Sequence, residues 1–179
     1  MALVLDGTTG IVSANIADGT ISASDLASGA ITSSALPAGS VLQTVYNSYT
    51  TWTTTTNTGF VVTGLVASIP PTASNSKILI QINANGIYNS STSGAAHFAL
   101  YKNGSLLTYL DWDFSYGVVN YGGSGAYAYL DSPSTTSSTT YALYWKSLSG
   151  GAIGINNYAG AGSNDGNTKS SIVLTEIAG

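Results

Sequence analysis

The chain has 179 residues, of which 44% are hydrophobic and only 7% charged: four Lys, no Arg and eight acids, for a formal net charge of -4. This length fits one globular domain with a small appendage and is enough to bury a core. The charge balance excludes a nucleic-acid partner, because phosphate binding needs clustered Lys and Arg, and Lys77, Lys102, Lys146 and Lys169 lie far apart. It disfavours anionic membrane surfaces for the same reason.

Other absences narrow the reading further. There is no Cys, so disulfide and thiolate chemistry are excluded and folding does not depend on a redox environment. No window approaches 18 consecutive apolar residues, so no membrane insertion is expected. Met1–Asp6 lacks the basic and long apolar regions of a signal peptide. A positive mean hydropathy of +0.21 with so little charge argues against disorder. With 26 Ser, 22 Thr, 12 Tyr and 21 Gly against a single Glu and a single Met, the composition is that of strands and turns.

In chain order, residues 1–37 stand apart. Asp18–Ala27 aligns with Ser28–Pro37 as an imperfect ten-residue repeat, and a looser copy begins at Asp6. Each clear copy offers one Ile and one Leu five residues apart, Ile21 with Leu26 and Ile31 with Leu36. One unit cannot bury them alone, whereas stacking against further copies or identical chains would. Leu3, Leu5, Ile11, Ile16, Ile21, Leu26, Ile31 and Leu36 are therefore candidates for trimerisation or anchoring. A flexible Ala/Ser/Gly linker is the alternative.

Residues 38–179 read as successive strands. Val41–Tyr46 and Phe60–Thr63 come first. Ile78, Ile80 and Ile82 then share one face of an extended run. His97–Tyr101 and Leu106–Leu110 flank Asn103-Gly104, the strongest short hairpin signal, because a type I′ turn needs positive φ at both central residues. Ala126–Leu130, Tyr141–Trp145, Ala152–Ile155 and Ser171–Ile177 follow, separated by breakers such as Pro70-Pro71, Gly122-Gly123 and Ser132-Pro133. About eight to ten short strands point to an all-β sandwich or jelly roll.

Catalytic patterns are weak. One His and no Cys make zinc implausible. Asp111 and Asp113 are too few for a calcium site, and Asn164-Asp165-Gly166-Asn167 lacks the later Glu of an EF-hand loop. No nucleophile elbow or phosphate loop is present, and His97 lies within an apolar run, as a strand or interface residue does. No enzyme activity, cofactor or metal is expected. The aromatics carry more information. Asp111, Trp112, Asp113, Phe114, Tyr116 and Tyr121 crowd one Gly-rich stretch, where rings beside carboxylates suit sugar stacking or protein recognition and equally suit core packing.

Gly39–Gln43, Thr63–Leu65 with Ser68–Pro70, Ser76–Ile80, Leu100–Gly104, Leu130–Pro133 and Ile172–Ile177 resemble segments of the fibre-like virion proteins of tailed phages, especially phages of cyanobacteria and other marine bacteria. The decapeptide repeats resemble units of phage fibre stems. This resemblance implies a homotrimer with a C1q- or tumour-necrosis-factor-like jelly-roll head over residues 38–179 and a short N-terminal stem or anchor over residues 1–37. It implies a place on the virion, in tail or capsid exterior. The expected partners are the chain itself, other virion proteins through the N-terminal segment, and a host-surface glycan or protein. The expected function is attachment as a tail fibre or short-tail component. A capsid decoration or head-fibre protein is the alternative, and a glycan-degrading tailspike is a third reading.

Overall fold

The structure is a computed structural model and describes residues 21–32, 35–90, 95–114, 123–156 and 168–179, the side chains of Ala23, Trp112 and Asp113 excepted. The chain divides into two units, Met1–Leu36 and Pro37–Gly179.

In the first unit, the described residues hold a short 3-10 turn, Ala23–Asp25. Asp25 closes it by accepting from the Ser22 amide at 2.8 Å and the Ser22 hydroxyl at 2.6 Å. These bonds, the hydroxyl's first, hold the Asp25 carboxyl below its ordinary range. The ten-residue repeat is visible in the backbone. Asp25 N–H donates to Ser22 O, and ten residues on Ala35 N–H donates to Thr32 O. The Ala30-to-Ala27 bond recurs as Ser40-to-Pro37, and Gly29 and Gly39 both have positive φ, at 79° and 89°. Ile21, Leu26, Ile31 and Leu36 are all exposed.

The second unit is all-β. Its strands among the described residues are β1 (Val41–Tyr49), β2 (Thr53–Thr55), β3 (Val61–Ile69), β4 (Lys77–Asn89), β5 (Ala96–Lys102), β6 (Ser105–Phe114), β7 (Gly123–Asp131), β8 (Thr139–Ser147), β9 (Ile153–Ile155) and β10 (Ser170–Ile177). All pairings are antiparallel. One sheet runs β1-β10-β4-β7, with β9 and β2 joined on at the far end of β4; the other runs β3-β8-β5-β6. Apart from the β5–β6 hairpin, the eight principal strands switch sheets from one to the next. Two four-strand layers with that connectivity are a jelly roll, as the sequence pattern predicts.

Period-2 alternation builds the core. Ile78, Ile80 and Ile82 of β4 and Ile172 and Leu174 of β10 face Tyr141, Leu143 and Trp145 of β8 and Phe98 and Leu100 of β5, all at most 2% exposed. Burying each such side chain contributes roughly 1.5–3 kcal/mol. The Phe98 ring stacks on Trp145 at 6.5 Å. In the β5–β6 connection Asn103 and Gly104 have φ of 49° and 79°, the two positive values a type I′ turn requires.

Polar side chains tie the layers at their margins. Asp131 of β7, 7% exposed, receives Lys102 Nζ at 3.1 and 3.0 Å and the Tyr141 hydroxyl at 2.7 Å, both from the opposite sheet. Burial first, then this bond to Asp131, pushes the Tyr141 phenol up. On the other margin Asn47 Nδ2 donates to Val66 O at 2.6 Å and Gln43 Nε2 to Pro70 O at 2.7 Å, closing β1 against β3. Glu176, fully buried, accepts from Gln43 Nε2 at 2.6 Å, the Thr72 amide at 2.7 Å and the Thr72 hydroxyl at 2.8 Å.

The register also fixes what the β1-β10-β4-β7 sheet turns away from the core. One outward row is Tyr46, Val173, Gln81 and Ala128; the next is Thr44, Thr175, Leu79 and Leu130; a third is Ser48, Ser171, Asn83 and Ala126.

Candidate functional site

The stretch singled out in the sequence is only partly on display. Asp111 lies on β6, half-buried, and its Oδ2 accepts from the Tyr127 hydroxyl at 3.2 Å. Burial first, then the Asp111 charge and this bond, pushes the Tyr127 phenol up. Phe114 ends β6 and stands edge-on to the buried Phe98 ring at 6.2 Å, packed against the core. The backbone of Trp112 and Asp113 continues β6 between them. Tyr116 and Tyr121 lie outside the described residues, as do Leu3, Leu5, Ile11, Ile16 and the Asn164–Asn167 turn. The structure therefore joins Asp111 to Tyr127, and Phe114 to Phe98, at the rim of the core.

A second aromatic group stands on the outer face of the β3-β8-β5-β6 sheet. Tyr144 and Tyr109 oppose Ala99 from its two sides in the register, and Tyr101 follows two residues along β5. The Tyr101 and Tyr144 rings stack at 3.8 Å with 15° between planes. Phe60, just before β3, reaches over the face to within 6.1 Å of Tyr101 and 5.8 Å of Tyr109. Lys146 Nζ sits 5.2 Å from the Phe60 centroid, a cation–π contact worth about 0.5–1 kcal/mol at such a site. Ala99, flanked by Tyr109 and Tyr144, is fully buried although it points away from the core. Burial, then the neighbouring Tyr109 and Tyr144, pushes the Tyr101 phenol up. Tyr109 remains 53% exposed.

Chemically this is a rigid amphipathic surface. Tyr and Phe present large area with few rotatable bonds, and their hydroxyls add hydrogen-bonding capacity. Sequence reading missed it because its members come from a loop and three strands between positions 60 and 146, and only the register gathers them. The usable signal is phase: Tyr101 and Tyr144 occupy positions out of step with the inward Phe98, Leu100, Leu143 and Trp145. Among the described residues no group of three or more His, Cys, Asp or Glu is placed to hold a metal ion.

No family model and no curated protein sequence matches the chain. Solved structures similar to it include the infectious bursal disease virus VP2 subviral particle, at 9% identity and TM-score 0.43 over 77% of this chain and 40% of that one. A family 35 carbohydrate binding module from an environmental isolate is similar at 16% identity and TM-score 0.34, over 77% of this chain and 88% of that one. Dimeric latent PorU from Porphyromonas gingivalis is similar at 11% identity and TM-score 0.34, over 79% of this chain and 14% of that one. The chain thus spans less than half the length of the VP2 and PorU chains.

Proposed function

We propose that this chain is a non-enzymatic structural protein of a tailed-phage virion, acting as a homotrimer in a tail fibre or short-tail fibre and attaching the particle to its host surface. The observation that carries the reading is the Phe60–Tyr101–Tyr109–Tyr144 face, with Tyr109 exposed and the other three rings half-buried, a pre-organised contact surface on a domain with very few charges. The jelly roll is compatible with this role, since viral capsid and lectin domains use it, but a fold alone does not assign function. The exposed Ile and Leu of the decapeptide repeat support a segment that is covered by other chains or by a virion neighbour. The segment resemblance to fibre-like virion proteins supplies the setting.

Two experiments test this. Purified protein should bind host cells, and Tyr109→Ala with Tyr144→Ala should weaken that binding at least tenfold while the far-UV spectrum and melting profile of the sheets persist. Undiminished binding by the double variant removes the aromatic face from the function. Gold-labelled antibody should decorate tails in electron micrographs of the particle; label confined to the head would replace the tail assignment with a capsid decoration role.

A further inference from the structure

At the far end of β4, β9 and β2 extend the sheet in the order β4-β9-β2. The register sets Thr54, Gly154 and Tyr88 in one row. Ile153 and Ile155, on either side of Gly154, are fully buried in the core, so this row points outward. Trp52, two residues before Thr54, shares its face. The Trp52 Nε1 stands 3.4 Å from the point that a Cβ on Gly154 would occupy, so the indole leans over the glycine. Gly154 is buried beneath it, Thr54 is exposed and Tyr88 is half-buried. Trp52 itself remains 39% exposed, whereas Trp145 is fully buried.

The backbone beneath this platform is tied down. Asn156, itself buried, donates through Nδ2 to Tyr49 O at 2.9 Å and to Thr51 O at 3.1 Å, and its Oδ1 accepts from Ser170 Oγ at 2.7 Å. The Tyr49 and Thr53 hydroxyls share a hydrogen bond of 2.6 Å. The turn that carries Trp52 is therefore held on both sides, and a ligand meets it already ordered.

The surroundings select the ligand. Residues 26–76, 78–101 and 147–164, which supply every member of the group, contain no Asp, Glu, Lys or Arg. A charged ligand would find no counter-charge in them. From Thr50 to Thr56 every residue except Trp52 is Thr, so hydroxyls that both donate and accept surround the indole. A saccharide has the matching surface: C–H groups on the faces of its ring and hydroxyls around the edge. Size points the same way. A large aromatic carries about 150–250 Å² of surface, so the 39% left open is roughly 60–100 Å². A stable protein interface needs about 800 Å² per partner.

We propose that Trp52, Thr54 and Tyr88 form a binding site for a neutral saccharide, separate from the Phe60–Tyr144 face and on the opposite layer. One sugar ring stacks on the Trp52 indole, and Thr54 hydrogen-bonds its hydroxyls. Gly154 belongs to the site because only a missing side chain lets the indole settle there. The inference depends neither on the Phe60–Tyr144 face nor on the oligomeric state.

The test is titration of the full chain with neutral oligosaccharides of glucose, galactose and mannose, with polygalacturonate as the acidic comparison. At least one neutral series should shift the tryptophan emission to the blue, and calorimetry should show one site per chain. Trp52→Ala should weaken that affinity at least tenfold. Thr54→Val keeps the shape and strand preference and should weaken it roughly threefold to tenfold, the worth of one hydrogen bond. Gly154→Val suits a strand but takes the place of the indole, so binding should fall with Trp52 still present. Leu106→Ala, exposed on the other sheet, should bind as the parent does. Far-UV spectra check that each variant is folded, and Thr54→Val decides the question even if Trp52→Ala loosens the extension. Binding to none of the neutral series, or to polygalacturonate alone, overturns the proposal. So does an affinity that Trp52→Ala and Thr54→Val leave intact. A host-surface protein captured through Trp52 with no saccharide affinity overturns the ligand class.

Discussion

Replacing Asp131 with Ala should be among the costliest single changes at the margin of the sandwich. The carboxylate joins β7 to the opposite layer through Lys102 and Tyr141. Its loss strands the Tyr141 hydroxyl, on a residue that is fully buried, and an unsatisfied buried donor costs about 1–3 kcal/mol. The Lys102 side chain is 29% exposed and can rehydrate, so its part adds at most about 1 kcal/mol. The sum is about 3 kcal/mol, or roughly 6–12 °C in melting temperature for a domain of this size. Calorimetry at fixed protein concentration reads it, since self-association makes melting concentration-dependent. Tyr141→Phe leaves Asp131 held by Lys102 and should cost only about 1 kcal/mol. The double variant should cost clearly less than the sum of the two singles. A loss below about 0.5 kcal/mol for Asp131→Ala would show that the network does not hold the layers together.

Three further outcomes follow from the geometry. Burial alone would raise the Glu176 pKa, but the bonds from Gln43 and Thr72 outweigh it and hold the carboxyl below its ordinary value of 4.5. Its contribution to stability is therefore whole above about pH 4.5 and is lost as pH falls through the lower folded value; urea midpoints of Glu176→Gln should fall less steeply than those of the parent below pH 4.5. Gly64 sits in the β3 bulge at φ +100°, and an added Cβ would come within 2.5 Å of the Tyr49 ring. Gly64→Ala should therefore destabilise by about 1–3 kcal/mol in urea unfolding, and an unchanged midpoint would mean that the β1–β3 margin adjusts freely. Gly104→Ala, with φ +79° and open space around it, should cost only the backbone term of about 1 kcal/mol; a loss as large as that of Gly64→Ala would contradict the assignment of its role to the turn.

The layers were legible wherever alternation ran long enough: Ile78, Ile80 and Ile82 announced β4, and Asn103-Gly104 announced the hairpin. The same dipeptide at Asn85-Gly86 shows why local signals do not suffice. There Gly86, at φ 59°, makes a bulge within β4, between Ala84 and Ile87, because the strand continues to pair with β9. The Thr-rich stretch around β2 has no apolar phase, so a three-residue strand paired with β9 left no mark in the sequence. The sequence pattern ends the strand at Leu110, yet Asp111–Phe114 completes β6, because β5 offers it partners from Ala96 to Phe98. The aromatic face needed the register of three strands. The buried acids Asp131 and Glu176 look like strand-end charges until their partners, 29 and 133 positions away in sequence, are in place.

The central claim is that nearly uncharged β surface is satisfied here by identical copies of the chain. Sedimentation equilibrium of the full chain at micromolar concentration tests it most directly. The account predicts a single species at three times 18.2 kDa that resists dilution; a stable species at 18.2 kDa would contradict it.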